Sequence, residues 1–259
     1  NQHAKLQAGT YELSESMSAY QIAQKLIAGD VLKNKITIIE GWDKNDIADY
    51  VESKSIYDKT LFLALVNDNA FTFSFLADKP KSASLEGYLF PDTYFMPLDS
   101  TPEAFIKNAL TNFDRKLTAD LREEIKNQKK SIFDIVIMAS IIEKEVQSLE
   151  DKKMVSEILW KRLNAGMALQ VDSTVNYITR KHDSRAQVSD TKIDSPYNTY
   201  LYPGLPKGPI SNPGLDSILA AIYPTESAYW YYLSTSDTGE TIFSKTLDEH
   251  NEATAKYLN

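Results

Sequence analysis

The chain has 259 residues, of which 42% are hydrophobic and 25% charged, and its 28 basic and 36 acidic residues give a net charge of -8. This composition is typical of a folded protein with a sizeable core, and nucleic acid is not expected as a partner because no basic surplus is available to neutralise phosphates. The absence of cysteine excludes disulfides, thiolate metal sites and a cysteine nucleophile.

The N-terminal part is predicted to contain three helices and a strand. A capping box at Ser18 and Gln21 begins an amphipathic helix, KITIIE at 35–40 favours a strand, Asp43 caps a second helix, and a third is predicted at 57–67. The first two helices share an apolar pattern at a constant offset, which suggests a weakly duplicated strand-helix unit. The matching positions are Ile22, Ala23 and Leu26 against Ile47, Ala48 and Val51.

A polar, proline-containing stretch at 78–82 separates this part from the rest of the chain. We place a domain boundary there, with one domain over residues 1–80 and a second over residues 81–259. The opening sequence reads like the middle of a domain, so we expect the first domain to be truncated at its N-terminus. No run of about 18 apolar residues marks a membrane span.

The middle of the chain is predicted to be helical. A helix begins at Thr101 and Pro102, two more flank Lys129, and another covers 150–164. After about residue 166 the sequence is rich in proline, glycine and tyrosine, so a loop-rich region is expected. One clear helix near 214–222 and a strand at 229–234 are predicted within it. The fold class is therefore α+β, a mixed α/β domain with a helical core and a loop-rich second half.

The helix predicted at 131–146 is apolar almost all round and is expected to be buried. Glu143 lies near its end, on the same face as Ala139 and Ser140, at the margin of an apolar surface. Burial disfavours a charged carboxyl, and a protonated carboxyl is what donates a proton to a glycosidic oxygen. The alternative is a structural glutamate, paired with Lys144 or with basic residues of the next helix.

Four motifs along the chain carry a resemblance to a known family. They are LEGYLFPDTY at 85–94, ASIIEKEV at 139–146, LQVDSTVNY at 169–177 and SPYNTYLYPGLPKGPISNPG at 195–214. In this order, and with HNEATAKYL at 250–258, they resemble the endolytic murein transglycosylase (YceG-like) family. The segments at 11–26 and 36–51 resemble the LysM-like portion of that family, so the similarity covers nearly the whole chain.

The resemblance implies that the glutamate of the ASIIEKE string, taken as Glu143, is the catalytic acid/base. The implied reaction cleaves the bond between MurNAc and GlcNAc without water, because the C6 hydroxyl of the sugar attacks its own anomeric carbon and leaves a 1,6-anhydroMurNAc end. One residue can then serve as acid and afterwards as base, since an internal nucleophile replaces the second carboxylate or water of ordinary glycosidases.

The resemblance also implies the cellular setting. The family acts on nascent peptidoglycan strands near the synthases, the penicillin-binding proteins, on the extracytoplasmic (periplasmic) side of the inner membrane. A single N-terminal transmembrane helix, which the chain lacks, anchors its members there. No cofactor is expected.

Polar residues of the same motifs are candidate substrate-binding residues, because amide, carboxyl and hydroxyl groups suit the hydrogen-bonding edges of N-acetylated sugars. These candidates are Gln170, Asp172, Asn198, Tyr200 and Asn212, with Glu86, Tyr88 and Asp92 as a second cleft wall. Each has an alternative role in turns and caps. The aromatic residues Tyr202, Trp230 and Tyr231 are candidate sugar platforms, with the hydrophobic core as the alternative.

Other chemistries have weaker support in the sequence. The histidines His3, His182 and His250 are scattered and show no zinc-binding spacing, so no metal is expected. Two alternatives to the lytic transglycosylase stay open: a non-catalytic peptidoglycan-binding module, and a muramidase-type hydrolase that uses the same acid.

Overall fold

A computed structural model describes residues 6–68, 70–181, 186–235 and 238–258, so His3 and His182 lie outside the described residues. This part of the chain forms ten α-helices and two small antiparallel sheets, which confirms the α+β class. The elements are α1 (Ala19–Ala28), β1 (Lys33–Thr37), α2 (Lys44–Ser53), α3 (Lys59–Asn67), β2 (Thr93–Pro97), α4 (Pro102–Lys116), α5 (Ala119–Asn127), α6 (Ile132–Glu145), α7 (Leu149–Asn164), α8 (Asp172–Thr179), α9 (Leu215–Ile222), β3 (Tyr231–Ser234), β4 (Thr241–Ser244) and α10 (Leu247–Tyr257).

The predicted helix starts are confirmed by their caps. The side chains of Ser18, Asp43 and Ser131 each accept a hydrogen bond from the backbone N–H of the third helical residue, at 3.3, 2.9 and 2.9 Å. Such a bond satisfies one of the donors that a helix start leaves free, and its loss costs about 0.5–2 kcal/mol. These caps explain why α1, α2 and α6 begin where the sequence indicates.

The first sheet joins the two predicted domains. Strand β1 pairs with β2 so that Ile36 lies opposite Tyr94, and the hydroxyls of Thr37 and Thr93 are 3.0 Å apart across the pair. The buried apolar core is likewise continuous from one part to the other. The boundary at residue 80 and the LysM-like character of the first part stay predictions.

Helix α6 is the centre of the core, as its apolar sequence predicts. Its buried residues face every direction, and it packs against α7, α8 and α9. Burying a single large aliphatic side chain contributes about 1.5–3 kcal/mol, so α6 is among the most firmly held parts of the chain. Its last turn, with Glu143 and Glu145, is thereby fixed beside the second half of the chain.

The second half contains more regular structure than the sequence indicates. The strand predicted at 229–234 is confirmed as β3, and the helix near 214–222 as α9, but α8, β4 and α10 lie in what was expected to be loop. Helix α8 is short and has no side-chain cap, and α10 has no buried residue in the described chain. Helix α8 therefore lacks the capping signal that identifies a helix in a sequence, whereas α10 has a cap at Thr246 but no buried apolar stripe.

None of the helices in the described ranges is long and apolar enough to cross a membrane.

Candidate active site

A groove of about 870 Å³ lies at the C-terminal end of α6. Its walls come from α8, from the β3 strand and from α10, and the end of α6 contributes Lys144 and Glu145. The volume lies in the range of ligand sites in proteins, and polar groups converge in it, so the groove is the candidate active site.

Glu145 is one of the two carboxyls that line this groove in the described chain, the other being Asp172. The hydroxyl of Tyr232 on β3 donates a hydrogen bond to Glu145 Oε2 at 3.0 Å. Burial raises the pKa of Glu145, the nearby Ser173 and Tyr232 act in the opposite direction, and the negative charge of Asp172 adds to the rise. Because a raised pKa keeps a carboxyl protonated closer to neutrality, Glu145 has the environment of a general acid.

Glu143 lies in a different environment, enclosed between helices. Its side chain is 8% exposed and its Oε1 is 3.0 Å from the Nζ of Lys152 on α7, which is itself 6% exposed. Its Oε2 accepts hydrogen bonds from the Gly214 N–H at 2.8 Å and the Ser217 hydroxyl at 2.7 Å. Glu143 does not belong to the described residues that line the groove.

The contacts of Glu143 are those of a structural carboxylate. Gly214 is the N-cap of α9 and has no side chain of its own to cap that helix. Glu143 accepts the N–H of Gly214 itself and the hydroxyl of Ser217, in a position where a negative charge interacts favourably with the helix dipole. Its partner Lys152 belongs to the next helix, which is the alternative that the sequence left open for this residue. Glu143 as the catalytic acid stays a prediction, and the geometry favours Glu145.

The helix itself separates the two glutamates. Residues i and i+2 of an α-helix are rotated by about 200° from each other around the helix axis. The two carboxyls of the E-K-E string therefore point to opposite sides of α6. The face of Glu143 continues into the completely buried Ala139 and Ser140. The face of Glu145 continues into the equally buried Ile141 and Ile142, so the sequence of α6 carries no pattern that separates the two glutamates.

Three predicted substrate-binding residues line the groove together with Glu145. They are Gln170, Asp172 and Tyr200. Tyr200 donates a hydrogen bond from its hydroxyl to Asp172 Oδ1 at 2.5 Å. Gln170 has a left-handed backbone with φ of 54°, and its N–H donates to the Thr199 carbonyl at 3.1 Å. The loop before α8 is thus fixed to the YNTY segment, which places both motifs at the same wall.

Asn212 and Glu86, two other predicted binding residues, join chain segments inside the protein. The Asn212 Oδ1 accepts the backbone N–H groups of Gly87 and Leu89, and its Nδ2 donates to the Trp42 carbonyl and to Glu86. Burial raises the pKa of Glu86 to about 8. Both side chains are at most 1% exposed, which argues against direct contact with a glycan.

The remaining predicted residues also lie away from the groove. Tyr88 is completely buried in an aromatic cluster, and Asn198 is 1% exposed with its Nδ2 donating to the Thr191 and Ile193 carbonyls. Asp92 is exposed at the start of β2 and accepts a hydrogen bond from Asn112 at 2.8 Å. Their positions support roles in turns and packing.

Sequence reasoning did not identify several groove residues. Besides Glu145, these are Ser173, Tyr232 and Arg162, while Tyr231, a predicted sugar platform, does line the groove. Alternation along a strand would place Tyr231 and Tyr232 on opposite faces, but both line the groove. Among the described residues no group of acidic and histidine side chains is placed to hold a metal ion.

Comparison with known proteins gives consistent matches. The model of the YceG-like family matches residues 1–256. The chain is 36% identical to the endolytic murein transglycosylase of Bacillus subtilis (strain 168), over 98% of this chain and 73% of that protein. It is 30% identical to the endolytic murein transglycosylase of Streptococcus pneumoniae serotype 2 (strain D39 / NCTC 7466), over 99% of this chain but 52% of that protein. The crystal structure of a YceG-like protein from Listeria monocytogenes has a TM-score of 0.77 at 39% identity and covers 96% of this chain and 85% of its own.

Proposed function

Because the chain belongs to the YceG-like family, we propose that it is an endolytic murein transglycosylase. Such an enzyme is a lyase that cuts the glycan strands of peptidoglycan internally. The relatives with this name align with nearly all of the chain, including the helix end and the loops that form the groove.

We propose that Glu145, rather than Glu143, is the acid/base. The observation that carries this assignment is the difference in access: Glu145 lines the groove, whereas both carboxyl oxygens of Glu143 are occupied by buried donors. A general acid must come within hydrogen-bond distance of the glycosidic oxygen, and the groove that Glu145 lines provides room for a sugar.

The proposed reaction requires only one carboxyl, that of Glu145. Protonated Glu145 gives its proton to the oxygen that leaves C1 of the MurNAc unit, and the bond between C1 and that oxygen breaks. The C6 hydroxyl of the same sugar then bonds to C1, and its proton returns to the Glu145 carboxylate. The products are a 1,6-anhydro end and a GlcNAc end with a free hydroxyl, no water is consumed, and the enzyme regains its starting protonation state.

A muramidase-type hydrolase is the second candidate, and Asp172 is the observation that favours it. This carboxylate lines the same groove, lies close enough for its charge to raise the pKa of Glu145, and is held by the Tyr200 hydroxyl. A second carboxylate that activates water is the arrangement of hydrolytic glycosidases. The names of the relatives support the lyase.

The setting that we propose is the extracytoplasmic face of the cell membrane, beside the penicillin-binding proteins that make the nascent strands. We base it on the resemblance to membrane-anchored family members and on the peptidoglycan substrate that the relatives' names imply. The LysM-like role of residues 1–80 in glycan binding belongs to the same proposal.

The experiment that tests the function is mass spectrometry of peptidoglycan digested with the purified protein. Anhydro-ended muropeptides are expected with the wild type, and they should be absent with Glu145→Gln. Products heavier by one water would instead establish the hydrolase. Binding to sacculi without any product, at several enzyme concentrations, would contradict both and support a non-catalytic binding module.

A further inference from the structure

Arg162, in the last turn of α7, is a buried cation without an acidic partner. Arg162 is 7% exposed and lines the groove together with Glu145. It forms no ion pair with any described residue. Lys152, the other buried cation in the described chain, is paired with Glu143. An unpaired buried charge costs several kcal/mol, and the C-terminal dipole of α7 offsets only part of that cost.

The guanidinium of Arg162 is held in one orientation. Its Nε donates to the Trp230 carbonyl and its Nη1 to the Leu169 carbonyl, both at 2.9 Å. One face lies over the Tyr231 ring, 4.9 Å from the ring centroid. A guanidinium has five N–H donors, so three remain after these two bonds, and both donors of Nη2 have no acceptor in the described chain. The fixed fork therefore keeps an unused donor edge.

The charges around the groove suit an anionic group. Its lining contains the cations Lys144, Arg162 and Lys181 and the acids Glu145 and Asp172, and Lys181 is paired with Asp190, so the charges at the groove are balanced. The whole chain has a net charge of -8. The groove is thus a place where a carboxylate is not repelled by the overall acidity of the protein. A planar guanidinium edge matches a carboxylate through two parallel hydrogen bonds.

We propose that Arg162 binds a carboxylate carried by the muramic acid units of the glycan strand. This inference rests on the proposed function. Peptidoglycan alternates two sugars, and only muramic acid carries a lactyl substituent, whose carboxyl is free in peptide-free strands and linked to a stem peptide with its own carboxylates in others. A cation that binds this substituent sets the register of the strand, so that the muramic acid C1 lies at Glu145.

A binding experiment with non-cleaving protein tests the assignment. In the Glu145→Gln background, the affinities of Arg162→Gln, Arg162→Lys and the parent are measured by calorimetry for three probes: a neutral chitooligosaccharide, peptide-free glycan strands, and uncross-linked peptide-bearing strands. Lys161→Gln is the matched control. Lys161 is the adjacent cation, it donates to the Ser227 carbonyl and lies over the Trp230 ring, and it is not a groove-lining residue.

Arg162→Gln should weaken binding of carboxylate-bearing strands about 10-fold or more, since charge-assisted hydrogen bonds are lost, and leave chitooligosaccharide binding unchanged. Arg162→Lys, which keeps the charge, should retain part of the affinity, and Lys161→Gln all of it. A loss on peptide-free strands identifies the lactyl carboxylate, and a loss confined to peptide-bearing strands identifies the stem peptide.

An equal loss on all three probes, or no loss on any, would overturn the assignment. Thermal unfolding of each variant shows whether Arg162→Gln is folded, and if it is not, the charge-retaining lysine variant decides between the same outcomes. The readout is binding rather than cleavage, so it stays informative if the wild type releases no anhydro product.

Discussion

Two regions on either side of the last turn of α6 contain the same functional group in opposite settings. In the junction of α6, α7 and α9, both carboxyl oxygens of Glu143 accept hydrogen bonds, from Lys152, Gly214 and Ser217. At the groove between α8, β3 and α10, Glu145 accepts a hydrogen bond from the Tyr232 hydroxyl and is one of the lining residues. The same carboxyl group can therefore be structural or catalytic, depending on its burial and its hydrogen-bond partners.

Replacing Glu145 should affect catalysis more than any other change. Glu145→Gln keeps the size of the side chain and the acceptor for Tyr232 but cannot transfer a proton, so turnover of peptidoglycan should fall by about 10²–10⁴-fold. The initial rate of anhydro-muropeptide formation measures the loss. Thermal unfolding should be near that of the wild type, and a variant that retains a tenth of the rate would refute the role of Glu145.

The next effect is on stability. Glu143→Gln leaves the buried Lys152 ammonium without its ion-pair partner and with only the attraction of the exposed Glu40, which should lower the free energy of unfolding by about 3–5 kcal/mol, as measured by urea denaturation. The double variant Glu143→Gln with Lys152→Met removes both charges and should recover a large part of that loss. If the single and double variants were equally unstable, the ion pair would not be what Glu143 contributes to the junction.

A smaller effect should distinguish the groove by its pH dependence. Tyr232→Phe removes a hydrogen bond that favours the charged form of Glu145, so the pKa of this carboxyl should rise further. The acid form then persists to higher pH, and the alkaline limb of kcat/KM should move upward in pH. A lower rate with an unmoved limb would mean that Tyr232 acts only on packing.

The smallest effect is expected for an exposed aromatic residue outside the groove. Tyr202, predicted from the sequence as a sugar platform, is 48% exposed and does not line the groove, whereas Tyr231 does. Tyr202→Ala should change KM by less than about twofold, and stability by less than about 0.5 kcal/mol. Tyr231→Ala should raise KM several times more than Tyr202→Ala does. Equal effects of the two variants would show that the binding surface extends beyond the groove.

The sequence was most informative for helices whose signals lie within their own residues. The apolar run of α6 and the caps at Ser18, Asp43 and Ser131 are local signals, and the structure has helices at each. Strand β2 pairs with the distant β1, whereas β4 pairs with its neighbour β3, and α10 packs against both β3 and β4. These elements depend on their packing partners more than on their own residues, so they were not predicted.

The candidate site was predictable only in part for a related reason. Gln170, Asp172 and Tyr200 belong to polar motifs, and the structure brings them to one wall. Asn212 and Glu86 belong to equally polar motifs but bind one another in the interior. A sequence motif identifies the polar side chains but does not show whether they face solvent or the core, because that depends on tertiary packing. The choice between Glu143 and Glu145 required the positions of α7 and α9.

The most direct test of the central claim is the turnover of Glu145→Gln relative to Glu143→Gln. It should be measured at a temperature where both are folded and normalised to the folded fraction found by circular dichroism. The acid/base role of Glu145 predicts that folded Glu143→Gln cleaves peptidoglycan within about tenfold of the wild-type rate, while Glu145→Gln is slower by at least about a hundredfold. A folded but inactive Glu143→Gln beside an active Glu145→Gln would contradict it.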